Sequence, residues 1–179
     1  MSRKDTKTLS YIRYICELAS WNEKILYSRA RMVLGIYRHV CWFTAGRAEE
    51  VREELLDIGG HQLDGALIYL ETFAPDDAKE HFEAKVRGLF ETKWMIELVE
   101  WAMQRMREYP CKGDLYCSIL SKCYLSRFEY RETEMLELLD MERSSYYDRK
   151  KEAILLFGLS LWGYAIPKLK GIVSAGDMY

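Results

Sequence analysis

Residues that could coordinate a metal or carry out acid–base catalysis are few in this chain and lie far apart. The histidines are His39, His61 and His81, and although Glu80 and Glu83 flank the last of them, no second histidine follows at helical spacing to complete a zinc site. The sequence also contains no glycine-rich phosphate loop and no nucleophile-elbow motif. We therefore expect neither an enzyme nor a bound metal or other cofactor.

The residues best suited to binding chemistry follow position 142. The segment 143–151 reads RSSYYDRKK and concentrates four cations, whereas the segment 153–163, AILLFGLSLWG, is strongly apolar. A helix of this composition has a basic first half and a second half that packs against the rest of the protein. Lysine and arginine on an exposed helix attract the phosphates of a nucleic acid.

Helical geometry, at about 100° per residue, divides this basic helix into two faces. The face that we expect to be buried consists of Tyr146, Ala153, Leu156 and Phe157. On the opposite face, side chains can reach base edges, and on the shoulders they can reach phosphates. The groove-facing residues are Ser144, Tyr147, Asp148 and Lys151, and the residues on the shoulders are Arg143, Arg149 and Lys150.

A short acidic helix is predicted immediately before the basic one. Residues 131–141, RETEMLELLDM, place apolar Met135, Leu138, Leu139 and Met141 among glutamates, and a tight joint follows at 141–144. This is the order of a helix-turn-helix, in which the second helix enters the major groove by its N-terminal half. The same pattern also fits a helical pair whose second helix simply has a solvated end.

The sequence YRETEMLELLDMERSSYYDRKKEAILLFG, residues 130–158, resembles the C-terminal helix-turn-helix of phage-type transcriptional regulators of the ArpU and RinA kind. That motif is itself similar to the promoter-reading C-terminal domain of sigma factors. The resemblance is carried by Met135, Leu139 and Met141, then by 144–147 and 151–154, and extends over residues 95–163. It implies transcription regulation in a bacterium or its prophage, through double-stranded promoter DNA, RNA polymerase contact, or both.

The family pattern differs from this sequence at three positions of the motif. Arg131 replaces the usual threonine, Asp140 replaces the small or glycine residue of the turn, and Glu142 stands where serine or asparagine caps the second helix. The alternative function is a helical protein-protein interaction adaptor, which keeps the apolar packing of the helix-turn-helix but does not bind DNA.

The rest of the chain is predicted to be helical, which makes the protein all-α. The longest predicted helix covers 76–109, with one apolar stripe formed by Phe82, Val86, Phe90, Trp94, Leu98 and Trp101. We expect an N-terminal helical bundle or hairpin array over 1–110, a sigma-like helix-turn-helix over 111–166, and a tail over 167–179.

Composition constrains the partners and the compartment. The chain has 179 residues and a formal net charge of −2, so any attraction for DNA must come from a local patch, and a homodimer or RNA polymerase beside the chain is one way to add affinity. The opening residues lack the apolar core of a signal peptide, and no run of eighteen apolar residues occurs. We expect a cytoplasmic protein with no membrane partner and with reduced cysteines: Cys16, Cys41, Cys111, Cys117 and Cys123.

Overall fold

A computed structural model describes residues 6–44, 93–126 and 129–176 of the chain. Helix accounts for 85% of the described residues, and no strand occurs among them. The prediction of an all-α protein is therefore confirmed for the described part of the chain.

The described residues form seven α-helices, two of which continue into a turn of π-helix. In chain order they are α1 (Lys7–Ala19), α2 (Glu23–Thr44), α3 (Lys93–Arg107), α4 (Gly113–Leu120), α5 (Glu132–Leu139), α6 (Arg143–Ser160) and α7 (Ile166–Gly176). The π-helical turns are Ser121–Leu125 after α4 and Leu161–Ala165 between α6 and α7.

Side-chain caps fix the beginnings of the first two helices. The hydroxyl of Thr6 accepts a hydrogen bond from the backbone N–H of Leu9, and the side-chain oxygen of Asn22 accepts from the backbone N–H groups of Lys24 and Ile25. Both residues thereby satisfy N–H groups that have no partner inside the helix. Ser20, in a left-handed conformation, ends α1.

Helix α6 lies at the centre of the fold. All residues from position 152 to position 160 are buried, so the second half of this helix is covered on every side. A helix that is apolar all round must be surrounded by other elements. Its main neighbours are α1, α2, α3 and α4, whose residues in the same core include Ile12, Leu26, Leu98 and Tyr116.

The helical segment from Arg143 to Ile172 is long and apolar enough, by length and composition alone, to cross a membrane. Within its most apolar 18-residue window, however, 78% is buried inside the protein. The core helix of a folded domain meets the same criteria, and the burial of α6 among the other helices accounts for its apolar sequence.

Two glycines allow helices to approach closely. A Cβ atom at Gly113 would lie 2.6 Å from the backbone oxygen of Arg107, so only glycine lets α4 begin against the end of α3. A Cβ atom at Gly158 would lie 2.9 Å from Cδ1 of Leu26 and 3.2 Å from Cβ of Ala30, which places α6 tightly against α2.

Several sequence predictions concern the boundaries of these elements. Of the helix predicted for 76–109, the described part is Lys93–Arg107, in which Leu98 is buried and Trp101 is half-buried. Phe82, Val86, Phe90 and the side chain of Trp94 lie outside the described residues. The segment predicted as a tail, 167–179, is helical to Gly176 and buries Leu169. Residues on both sides of position 110 share the main core.

The cysteines whose side chains are described are free thiols, as the sequence predicts. Cys16 and Cys117 are buried, and Cys111 and Cys123 are half-buried. The side chain of Cys41 lies outside the described residues. Burial is the main cause that raises the pKa of the Cys16 and Cys117 thiols.

Candidate nucleic-acid interface

Helices α5 and α6 are joined by a turn of three residues, 140–142. Asp140 adopts a left-handed conformation with φ of 49°, its N–H donates to the carbonyl of Glu137, and the N–H of Met141 donates to the carbonyl of Leu136. This pair of bonds is a Schellman motif, which ends α5 and reverses the chain. Aspartate is one of the few residues other than glycine that visits this conformation routinely.

Helix α6 begins directly after this turn. Glu142 occupies the N-cap position, but its side chain makes no cap hydrogen bond; the carbonyl of Glu142 accepts from the N–H of Tyr146. The predicted start of the second helix near residue 143 is therefore confirmed. The exposed carboxylate of Glu142 lies at the end of the helix where the dipole favours negative charge.

A small hydrophobic cluster holds α5 against α4 and α6. Its buried members are Ile119, Met135 and Tyr146, which are at most 3% exposed. Leu139 and Met141 pack against the cluster, whereas Leu138, which the sequence pattern also assigns to the apolar face, is 54% exposed. The hydroxyl of Tyr146 lies 3.2 Å from Sγ of Cys123. Burial is the largest of the causes that raise the pKa of Tyr146.

The predicted division of α6 into a buried and an open face matches the structure. Tyr146, Ala153, Leu156 and Phe157 are all buried. On the other face, Ser144, Tyr147 and Lys151 are exposed, and Asp148 is half-buried. The first half of the helix therefore presents polar side chains to solvent while the second half anchors it in the core.

The four cations of this segment have different environments. The Arg143 side chain is 73% exposed, and the Lys151 side chain is 52% exposed with its ammonium 4.0 Å from Glu23. The ammonium of Lys150 lies 5.5 Å from the ring centroid of Tyr124 and 5.9 Å from that of Tyr146. The Arg149 side chain is only 16% exposed, and its guanidinium lies 2.8 Å from the carboxylate of Glu152. Phosphate contact by Arg149 stays a prediction, and it requires the guanidinium to leave Glu152.

Glu132, at the start of α5, contacts two of the predicted DNA-binding residues. Its Oε1 lies 2.8 Å from Nε of Arg143, and its Oε2 accepts a hydrogen bond from the hydroxyl of Tyr147. That hydrogen bond is the largest of the causes that raise the pKa of Tyr147. The sequence pattern places Glu132 only on the polar side of α5, because its contacts with α6 depend on the path of the turn.

Glu152 is the second carboxylate that the sequence does not assign to a site. It is 3% exposed and accepts hydrogen bonds from the hydroxyls of Thr6 and Tyr116, in addition to the ion pair with Arg149. Such a buried carboxylate needs several donors to offset its lost hydration. Glu152 thus connects α6 to the beginning of α1 and to α4, and it directly follows the exposed first turns of α6.

Within the ranges 6–44, 93–126 and 129–176, no group of three or more histidine, cysteine, aspartate or glutamate side chains is placed to hold a metal ion. His61, His81 and the side chain of His39 lie outside the described residues.

Comparisons of the chain with protein-family models, with curated proteins and with solved structures find no significant match.

Proposed function

We propose that this protein is a sequence-specific DNA-binding transcriptional regulator of a bacterium or prophage that reads promoter DNA with the first half of α6. The observation that carries the proposal is the division of α6: its first half is exposed and cationic after a tight turn, and its second half is buried. A recognition helix needs this division, because it must enter the groove while remaining rigidly attached to its domain. The resemblance of 130–158 to the ArpU and RinA regulators points to the same function.

The roles of the residues follow from their exposure. Lys150 supplies positive charge for phosphate contacts, and Arg143 does so when its guanidinium leaves Glu132. Ser144, Tyr147 and Lys151 are exposed on the groove side, where they can hydrogen-bond to base edges. Asp148 lies on the groove side of the helix, and Arg149 can contact phosphate when its guanidinium leaves Glu152. Each phosphate contact adds affinity for any sequence, whereas each base contact favours one sequence over others.

The proposal includes a second component on the DNA. The net charge of −2 gives little general attraction for a polyanion, so one α6 helix supplies limited affinity. A second copy of the chain or RNA polymerase bound beside it would add the missing contacts, and either arrangement belongs in a cytoplasmic setting.

The test begins with selection of bound sequences from random duplex DNA by the full chain, with and without RNA polymerase. The selected duplex is then titrated at several salt concentrations with the wild type, with Lys150→Ala, and with Lys170→Ala. Residue 170 lies twenty positions after residue 150 on a continuous helical segment, about 30 Å away, so Lys170→Ala makes the same change of net charge outside the proposed interface. We expect Lys150→Ala to lower the log–log salt slope by about one and Lys170→Ala to leave it unchanged.

One observation favours the alternative of a protein-protein interaction adaptor. Glu132 already binds Arg143 and Tyr147, so two of the predicted DNA-binding residues have a partner within the chain. Wild-type protein that shows no salt-sensitive binding to any selected duplex, alone or with polymerase, would favour the adaptor. The exposed Tyr11, Tyr14 and Leu18 of α1 would then be the first surface to test for protein partners.

A further inference from the structure

A cleft of about 430 Å³ lies where α1, the end of α3 and the second half of α6 meet. This volume is within the range of sites that bind small molecules. The cleft is formed by the C-terminal half of α6, whereas the exposed basic residues of the proposed DNA interface belong to its first three turns. It is therefore a separate feature of the molecule.

Aromatic rings form much of the cleft wall. Tyr11 and Tyr109 have ring centroids 5.4 Å apart with an interplanar angle of 33°, and Tyr164, which is 36% exposed, also lines the cleft. Met106 and Leu156 add an apolar floor. Rings with exposed faces bind planar apolar groups by stacking and by edge-to-face contact.

One polar side chain in the cleft lining, that of Ser160, is buried. Ser160 is 8% exposed, and none of the described residues makes a hydrogen bond to its hydroxyl. A polar atom of a ligand in the cleft can form a hydrogen bond with this hydroxyl.

Positive charge is concentrated beside Tyr164. The guanidinium of Arg105 lies 5.0 Å from the centre of the Tyr164 ring, and the ammonium of Lys168 lies 5.7 Å from the same centre. Glu108 contacts Arg105 at 3.2 Å and is the carboxylate among the lining residues. The two cations and one carboxylate, Arg105, Lys168 and Glu108, together carry a net charge of +1. Because the Arg105 side chain is 54% exposed, its other N–H donors are accessible to an anion.

From these features we infer that the cleft binds a small planar aromatic carboxylate, whose ring packs against the tyrosine side chains of the wall and whose carboxylate binds Arg105. The Ser160 hydroxyl hydrogen-bonds to a polar substituent on the ring or to the carboxylate itself. Stacking favours a planar ring, and the net positive charge beside Tyr164 favours an anion.

Calorimetric titration of the full chain with benzoate, salicylate and naphthoate tests the inference. Benzamide is the matched neutral compound, and cyclohexanecarboxylate is the matched acid without an aromatic ring. We expect saturable binding in the millimolar range or tighter by at least one aromatic acid, and weaker binding by both matched compounds.

Two cleft variants and one control make the result specific to the site. Arg105→Gln removes the charged donor and is expected to weaken binding about tenfold or more, and Ser160→Ala is expected to weaken it about two- to tenfold. Lys24→Gln removes an exposed cation that does not line the cleft and is expected to have no effect. Thermal unfolding of each variant verifies that it is folded.

The inference is overturned if no aromatic acid binds saturably, or if benzamide or cyclohexanecarboxylate binds as tightly as benzoate. It is also overturned if folded Arg105→Gln and folded Ser160→Ala both bind as the wild type does. None of these outcomes depends on DNA, so the proposed regulator function is tested separately.

Discussion

The hydroxyl of Tyr116 donates a hydrogen bond of 2.7 Å to Oε2 of Glu152, and both residues are at most 3% exposed. The same carboxylate binds Arg149 and the hydroxyl of Thr6, and the Tyr116 oxygen also lies 3.0 Å from Oγ1 of Thr8. Three helices, α1, α4 and α6, therefore meet at one buried carboxylate. Removing one donor leaves the charge less well compensated, which makes these contacts sensitive to single substitutions.

Tyr116→Phe is expected to lower the free energy of unfolding by about 1.5–3 kcal/mol, because the hydrogen bond that it removes is made to a charged group. Urea denaturation measures the change. Tyr130→Phe removes a hydroxyl from a residue that is 38% exposed and is expected to have no measurable effect. Equal stability of Tyr116→Phe and the wild type would show that the hydrogen bond makes no net contribution.

Stability at high pH is expected to depend on Tyr116. Burial is the main factor that raises the pKa of Tyr116 from 10.0 to about 12. Since the folded state holds this proton more tightly than the unfolded state, the contribution is complete below pH 10 and is lost as the pH rises to about 12. Urea midpoints measured across this window should fall less steeply in Tyr116→Phe than in the wild type. Parallel curves for the two proteins would contradict the assignment.

Glu132→Gln is expected to increase affinity for DNA. The change removes a negative charge that binds Arg143 and Tyr147, so both side chains become available to DNA and repulsion of phosphate decreases. The log–log salt slope should become steeper by about one when Arg143 gains a phosphate contact. Glu137→Gln, an exposed change on the same helix, is the matched control. If Glu137→Gln strengthens binding equally, the effect comes from net charge and not from release of Arg143.

Two glycine substitutions are expected to change stability in opposite directions. Gly158→Ala places a Cβ atom 2.9 Å from Leu26, and overpacking of this kind costs about 1–3 kcal/mol. At Gly163 the nearest atom to an added Cβ is 3.8 Å away, on the ring of Trp21, so Gly163→Ala should gain about 0.5–1 kcal/mol from reduced backbone entropy. Thermal or urea unfolding of both variants measures the difference. If Gly158→Ala stabilises the protein, α2 and α6 are packed less tightly than the 2.9 Å distance to Leu26 indicates.

Thiol reactivity is expected to follow burial. Burial raises the pKa of Cys16 and Cys117, and reaction with a thiol reagent requires both the thiolate and access to it. In native protein at neutral pH, these two should react only on the time scale of unfolding, whereas the half-buried Cys111 should react faster. Mass spectrometry of peptides after timed alkylation identifies the sites. Rapid labelling of Cys117 in folded protein would contradict the description of its surroundings.

Sequence periodicity predicted much of what surrounds the proposed interface. The apolar spacing of Tyr146, Ala153 and Phe157 identified the buried face of α6, and the change of composition at residue 143 identified its start. Both features are local, because they depend on residues within a few helical turns of each other. The DNA-binding role that we attach to this face stays a prediction.

The contacts that connect distant parts of the chain could not be predicted. Thr6 and Glu152 are 146 residues apart, and nothing in the local pattern of either residue indicates that the two side chains meet. The position of Arg149 illustrates the same limit: helical spacing places it on the shoulder of α6, but its orientation toward a buried carboxylate depends on how α1 and α4 pack. The cleft beside Tyr164 likewise requires three helices that are separated in sequence.

The small cluster of Ile119, Met135 and Tyr146 shares no buried member with the main core. Helix α5 has one buried residue, Met135, so we expect α5 to open locally before the helices of the main core do. Substitutions around Met135 should then be additive with substitutions in the main core. Over evolutionary time, the exposed surface of α5 can then diverge in sequence while the main core keeps its stability.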